Sequence, residues 1–456
     1  MLTRRSFVQS AAAPAALMGP PADRPNLLLI LTDQQTHTAM SCAGNPWLKT
    51  PVMDSLAANG VRFTQTICPY PVCSPSRASL FTGRMPHETG VRVNGRAISP
   101  EIPTMGEIFR NAGYRTVYGG KWHLPRPFEG MTAFERLIGG SSQGAGMDGP
   151  LASTCAKWLL AAPAEPFLMV ASFMNPHDIC EWIRQHAGAH DYPGVDRYPP
   201  VPANHAADPN EPEHIQYHRT AGYDAMSQAV GIAGGWRDPD VRKYLHDYYR
   251  MVEDVDAQIG VMMAALRESK LDRKTIVIFA SDHGEGMCAH RWAQKASFYE
   301  ESVRVPMIVA GAGIARRGVV DSQSLASLTD ILPTFCDYAG IAPPKELRGA
   351  SLRPAVEGHA LQRRFAVSEL RYGDEKREGR MLRTARHKYV VFNGGARPEQ
   401  LFDLAADPGE TRNLASDQAA RKLLQQHRDL LRGWIARTHD DFAIPPPAKR
   451  SEVTTG

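Results

Sequence analysis

Three stretches of this chain are unbroken apolar runs that each stop at a polar or ionisable side chain. Asn26-Leu-Leu-Leu-Ile-Leu-Thr32 ends at Asp33, Lys274-Thr-Ile-Val-Ile-Phe-Ala-Ser281 ends at Asp282, and Phe167-Leu-Met-Val-Ala-Ser-Phe173 leads into Asn175-Pro-His177. A continuous run, unlike strict alternation, predicts a strand buried on both faces, as in a parallel sheet. The polar ends would then gather at one sheet edge, the edge at which open α/β sheets bind ligands. Arg115-Thr-Val-Tyr118 reads as a further strand. Between the runs, Val241, Tyr244, Leu245, Tyr248, Val252, Val255, Ile259, Met262 and Leu266 recur at three- and four-residue steps and predict a long amphipathic helix over 241–269. Alternating strands and helices make an α/β domain with a parallel sheet the expected class.

After Pro344 the pattern changes. Residues 365–370, 381–385 and 388–392 are short and extended, Asn393-Gly394 marks a turn, and a helix is predicted over 417–437. We therefore expect a leader over 1–22, a large domain over 23–362 and a small subdomain with a disordered tail over 363–456. The stretch 187–240, rich in proline, histidine and glycine, shows little periodicity and reads as an irregular insert that shapes a site.

Composition narrows the function classes. The 456 residues, 43% of them hydrophobic, suffice for a large core. A formal net charge of +4, with no basic run interleaved with aromatics, argues against a nucleic-acid partner. Thr3-Arg4-Arg5-Ser6-Phe7, followed by an alanine-rich stretch, resembles a twin-arginine export signal. The expected location is the periplasm or beyond, with export machinery as a partner. No later stretch predicts a transmembrane segment in the mature chain. Seven cysteines show no Cys-x-x-Cys spacing, so no zinc site or disulfide pairing follows from them.

One of these cysteines heads Cys73-Ser-Pro-Ser-Arg77-Ala-Ser-Leu-Phe-Thr-Gly-Arg84. Ser74 as cap and Pro75 in the first position would place Cys73 at a helix N-terminus, where free N–H groups favour an anion. Arg77, one turn on, would add a fixed positive charge. The run resembles the signature of the type I sulfatases, which are formylglycine-dependent members of the alkaline-phosphatase-like superfamily. The resemblance implies a three-layer α/β sandwich with a mostly parallel central sheet, plus a small C-terminal subdomain with antiparallel strands. It also implies that Cys73 is oxidised by a maturation enzyme to formylglycine, whose hydrate attacks sulfur and later expels sulfate.

Further motifs follow in the family's order. The resemblance implies a divalent metal held by the pairs Asp33-Gln34 and Asp282-His283. Gln34 and His283 depart from the family's commoner second residues and resemble a subset that includes phosphonate monoester hydrolases. Calcium is the first expectation, with magnesium or manganese as alternatives, because a histidine nitrogen suits manganese better than calcium. Gly119-Gly-Lys121-Trp-His123 implies that Lys121 contacts sulfate and that His123 removes the proton allowing sulfate to leave. Asn175-Pro-His177 implies a sulfate contact or a proton donor to the leaving oxygen, given a pKa near working pH. Lys295, within His290-Arg-Trp-Ala-Gln-Lys295 and before Tyr299-Glu300-Glu301, is implied to bind sulfate. His290 is left open between a fold-supporting residue and a substrate contact.

Gly140-Ser-Ser142-Gln-Gly144 and Gly144-Ala-Gly-Met-Asp-Gly149 match a serine-hydrolase elbow and a dinucleotide fingerprint. Both need a strand before and a helix after, and the segment reads as a loop with neither. The expected activity is hydrolysis of a sulfate ester on a small molecule or oligosaccharide. The rivals are a phosphonate monoester or phosphodiester hydrolase, and an unmodified ligand-binding relative.

Overall fold

The computed structural model describes residues 24–124, 133–139, 144–186, 191–374 and 376–446. The expected leader and the tail beyond residue 446 lie outside them. Eight strands form one sheet: β1 (Asn26–Asp33), β2 (Gly60–Ile67), β3 (Arg115–Gly120), β4 (Glu135–Gly139), β5 (Phe167–Pro176), β6 (Thr275–Ser281), β7 (Arg304–Gly311) and β8 (Val319–Ser327). Their spatial order is β4-β3-β5-β1-β6-β7-β2-β8. All run parallel except β7, which is antiparallel to both β6 and β2. Every residue of β1, β5 and β6 is buried, as their unbroken apolar runs require. Alternate side chains divide the core between the two sheet faces: Leu27, Leu29, Ile276 and Ile278 pack on one side, and Leu28, Ile30, Val277 and Phe279 on the other. The periodic segment forms a 31-residue helix, Asp238–Glu268, whose Tyr244, Tyr248, Val252 and Ile259 close the second face. This is the alkaline-phosphatase-like architecture.

A second sheet, order β12-β11-β10-β9, contains β9 (Ala366–Arg371), β10 (Glu378–Arg383), β11 (His387–Phe392) and β12 (Glu399–Asp403), all antiparallel. The helix Arg421–Thr438 lays Leu424, Leu431 and Trp434 on Leu382, Tyr389, Val391 and Leu401. Among the described residues no helix is long and apolar enough to cross a membrane.

Two expectations are corrected. The insert 187–240 is not irregular throughout, because it contains the helices Glu213–Ala221 and Ala225–Gly234. Their brevity and their glycine ends at Gly222 and Gly235 hide the period. The segment before Gly149 is not a free loop either: β4 precedes it, and Gly144–Gly149 forms the start of the helix Gly144–Leu160. That helix begins there because the distant Asp178 carboxylate accepts from the N–H groups of Gly144 and Ala145, at 2.8 and 2.9 Å. With those amides taken, the Gly-rich turn has no N-terminal donors left at those two positions for a diphosphate. Residues 140–143 of the serine-elbow match lie outside the described residues.

Candidate active site

Strands β1 and β6 are neighbours in register, with Thr32 opposite Ser281, so the carboxylates that follow them emerge side by side. Between them lies Arg77, fully buried, with Nε 2.8 Å from Asp282 Oδ2 and an Nη atom 2.8 Å from Asp33 Oδ2. Its remaining donors reach the Lys121 carbonyl at 2.9 Å and Ser172 Oγ at 2.8 Å. One guanidinium fork thus fixes both carboxylates and ties β3 and β5 to them.

Arg77 belongs to the helix Cys73–Thr82, every residue of which is buried. The cap differs from expectation: Val72 occupies the cap position and Pro75 sits third. Ser74 instead donates its N–H to Asn94 Oδ1 at 3.0 Å and its hydroxyl to the His123 carbonyl at 2.5 Å. The side chain of Asn94, contributed from another loop, does the work that a local serine cap would have done. Gly83 ends the helix at φ 68, and a Cβ there would lie 2.7 Å from Leu347 Cδ2.

Cys73 Sγ, at the head of this helix, lies 3.1 Å from His283 Nε2, 3.2 Å from Lys295 Nζ, 3.8 Å from Lys121 Nζ and 3.7 Å from Asp33 Oδ1. Burial alone would push the Cys73 thiol up, but Lys121, Lys295 and His283 together hold it well below the ordinary range. Lys121 Nζ also pairs with Asp33 Oδ2 at 2.7 Å. Burial and Cys73 act upward on Asp33, yet Lys121, His177 and Arg77 keep it well below the usual carboxylate range. Asp282, with burial and Asp33 against it, is raised.

Oδ2 of both aspartates is taken by Arg77, whereas Oδ1 of both faces His283 Nε2, at 3.9 and 3.7 Å. His283 Nδ1 lies 2.9 Å from the Gly284 carbonyl, which requires Nδ1–H and leaves Nε2 as the inward atom. Ligand atoms of Asp33, Asp282, His283 and Cys73 all lie within 4.8 Å of one another. Two inward carboxylate oxygens and one imidazole nitrogen, all buried, fit a divalent cation. The mixed donors suit manganese as well as calcium. Gln34 is drawn to the rim of this group: its Oε1 is 2.9 Å from Lys295 Nζ and 3.3 Å from Cys180 Sγ, and its Nε2 is 2.6 Å from Glu285 Oε2.

Lys295 rides on an unusual stretch of backbone. Met287, Cys288, His290, Arg291, Gln294 and Ala296 all have left-handed φ, between 53° and 76°. Such residues cost about 1–3 kcal/mol each and persist where surrounding contacts over-determine them. The insert supplies those contacts: Asn204 O accepts from His290 N at 2.7 Å, His205 Nδ1 reaches Cys288 O at 2.6 Å, and Arg219 reaches Arg291 O at 2.9 Å. His290 itself stacks on Tyr299 at 3.8 Å and is 2% exposed, so it supports the fold.

A cleft of 530 Å³ opens beside Cys73 and Lys295, lined by His123, His177, Asn94, Tyr223, Arg184 and Arg371 among others. His123 and His177 both lie near enough to Cys73 to act on its charge, or to be acted on by it. Burial, then Lys295 and Lys121, push His177 down to about 4, so it is neutral near pH 7 rather than poised there. The structure therefore brings Asp33, Gln34, Cys73, Arg77, Lys121, His123, His177, Asp282, His283 and Lys295 into one region. Sequence reasoning missed Asn94, Ser172, Cys180 and Glu285. Of these, Glu285 alone carried a visible signal, as an ionisable residue in the short segment after a site strand.

Comparison with known proteins agrees with this geometry. The Sulfatase family model matches residues 25–341, and the model for the C-terminal part of N-sulphoglucosamine sulphohydrolase matches 288–436. A Delta 4,5-hexuronate-2-O-sulfatase of Bacteroides thetaiotaomicron is 34% identical, over 92% of this chain and 90% of its own. Arylsulfatase K of Bos taurus is 28% identical over 86% of this chain and 79% of its own. The solved structure of a 2-O GAG sulfatase superposes with a TM-score of 0.85 at 32% identity, covering 93% of this chain and 95% of that one. A phosphonate monoester hydrolase of Agrobacterium radiobacter shares the fold, with a TM-score of 0.76 at 23% identity over 93% of this chain and 100% of its own.

Proposed function

The chain belongs to the sulfatase family and is a sulfuric ester hydrolase, and from that premise we propose that it removes a sulfate ester from a sulfated carbohydrate at Cys73. The observation that carries the reading is the contact set of Cys73 Sγ: Lys295, His283 and Lys121 within 3.8 Å, beside the Arg77-bridged carboxylates. Carried as formylglycine, position 73 would supply two hydroxyls on one carbon, and a divalent cation, which Asp33, Gln34, Asp282 and His283 would hold, would supply positive charge. Arg77 holds the two carboxylates apart and in plane, so their inward oxygens keep a fixed spacing. Lys121 and Lys295 approach position 73 from different strands and loops, and bind sulfuryl oxygens as negative charge spreads over them. His123, at the cleft wall, accepts the proton whose loss lets sulfate depart. His177, neutral near pH 7, donates a hydrogen bond to the leaving oxygen.

The substrate class rests on the relatives, whose names give 2-O-sulfatase activity on a hexuronate and on a glycosaminoglycan. Arg184 and Arg371 on the cleft wall, paired with Glu181 and Glu378, add positive charge on the side where a substrate carboxylate would lie. We extend the same reading to an exported enzyme with a leader over 1–22, a catalytic domain over 23–362 and a C-terminal subdomain over 363–456.

The test is turnover of a panel of defined sulfated saccharides, together with an aryl sulfate and an aryl phosphonate. The reading expects sulfate-ester cleavage, greatest on a 2-O-sulfated uronate. A large excess for the phosphonate, which Gln34 and His283 raise as the rival, would overturn it. Mass spectrometry of the peptide containing Cys73 checks the nucleophile, since an intact thiol in fully active protein excludes formylglycine chemistry.

A further inference from the structure

Glu285 follows His283 by two residues, is fully buried, and faces three donors. Tyr244 OH donates to Oε1 at 2.6 Å, the backbone N–H of Gln294 donates to the same oxygen, and Gln34 Nε2 donates to Oε2 at 2.6 Å. Two of these partners, Gln294 and Gln34, bear on Lys295. Gln294 is its chain neighbour, and Gln34 Oε1 accepts from its ammonium at 2.9 Å. An amide side chain can turn over and exchange its oxygen for its nitrogen at almost no steric cost, so something must fix which end faces the site. A carboxylate, which accepts and does not donate, does this: it demands the NH₂ end of Gln34 and thereby turns the oxygen toward Lys295 and Cys73.

We propose that Glu285 is a positioning residue: by accepting from Gln34 and from the backbone of Gln294, it sets the polarity of the Gln34 amide and so the place of the Lys295 ammonium. Cys180 reinforces the arrangement, because its thiol lies 3.3 Å from Gln34 Oε1 and 3.2 Å from Gln294 Oε1. The proposal rests on the sulfatase reading only for the task it gives Lys295 at sulfate.

The variant Glu285→Gln is isosteric. Its oxygen can still satisfy Tyr244 and Gln294, but its NH₂ then meets the NH₂ of Gln34. Gln34 must flip, which presents a donor to the Lys295 ammonium. Exchanging the two residues, Gln34→Glu with Glu285→Gln, restores every donor–acceptor match. Full-length enzyme should lose about 10–100-fold in kcat/KM as Glu285→Gln, the usual effect of disturbing a group that orients a site residue. The double variant should regain at least about tenfold of that loss, whereas Tyr244→Phe, which leaves the Gln34 contact alone, should change activity less than about threefold. A merely structural Glu285 would give no rescue, so a double variant no better than the single one overturns the proposal. The same cycle is also read by urea unfolding, without substrate. A coupling between positions 34 and 285 of at least about fivefold in the unfolding constant is expected, and additive effects there would also overturn it. Absence of sulfate-ester turnover in the unmutated enzyme would count against the proposed function instead, and leaves the unfolding cycle to judge Glu285.

Discussion

Replacing Lys388 by methionine tests how the second sheet holds the segment that carries Lys295. The Lys388 side chain on β11 is fully buried, pairs with Glu300 Oε1 at 2.9 Å and Glu410 Oε1 at 2.7 Å, and donates to the Phe298 carbonyl at 2.8 Å. Glu410 in turn accepts from the Glu300 N–H at 2.7 Å. Without the ammonium, Glu300 keeps Arg383 and Arg304, at 3.4 and 3.5 Å, but Glu410 loses the cation it pairs with. Leaving one carboxylate buried and uncompensated costs about 3–5 kcal/mol. Scaled to a chain of 456 residues, that is a fall of about 3–5 °C in melting temperature at pH 8. The penalty depends on pH. Burial, with Glu300 and Glu301 nearby, already pushes Glu410 up to about 7 despite Lys388. The folded state therefore binds its proton more readily than the unfolded chain, whose glutamate titrates near about 4.3. Its contribution to stability is favourable at low pH and is lost as pH rises through that window. Thermal melts followed by circular dichroism should thus show a larger loss at pH 8 than at pH 5.5. Adding Glu410→Gln to Lys388→Met should recover more than half of the loss at pH 8. An unchanged melt at pH 8, or a double variant no better than the single one, would refute the reasoning.

Arg77→Lys should abolish turnover by at least about 100-fold and destabilise by about 3 kcal/mol, because a point charge cannot bridge both carboxylates while serving Lys121 O and Ser172; melts and kinetics read both effects. Chelation should lower the melting temperature, and readdition at about 100 times Kd should restore about 2.7 kcal/mol. A titration comparing calcium with manganese identifies the better fit, and an unchanged melt would rule out a bound cation among Asp33, Asp282 and His283. His87 is opposed by burial but raised overall by Glu369, whose carboxylate sits 2.5 Å from Nδ1. Its ion pair should stabilise fully below pH of about 6.5 and be lost as pH rises through the higher folded pKa, so His87→Gln should flatten the stability profile above that pH.

Much of the architecture was legible because its signals are local. The runs ending at Asp33 and Asp282 became adjacent buried strands, and the spacing of Tyr244 to Leu266 became one side of a long helix. What stayed hidden depends on contacts distant in sequence. Gly144–Gly149 starts a helix because Asp178 caps it from β5's far end, and Ser74 does not cap its helix because Asn94 supplies the acceptor. The role of Glu285 is invisible from its neighbours, since its partners lie at positions 34, 244 and 294. The short helices of the insert escaped notice because each is under three turns and ends at a glycine, while part of what holds them is distant: Arg219 reaches Arg291 O, and Arg291 reaches Gly234 O, both at 2.9 Å.

The complete burial of Cys73 sets a clock. In the finished fold no modifying enzyme can reach the sulfur, yet the residues that seal it, His283 and Lys295, follow 210 and 222 positions later in the chain. At synthesis rates of about 5–20 residues per second, roughly 10–45 s pass between the appearance of Cys73 and that of its last partner. Under the proposed formylglycine chemistry, an enzyme oxidising Cys73 would have that interval as its working time, and slower translation of the 187–296 segment would widen it. The fraction of active protein in a cell would then be governed by a race between elongation and oxidation.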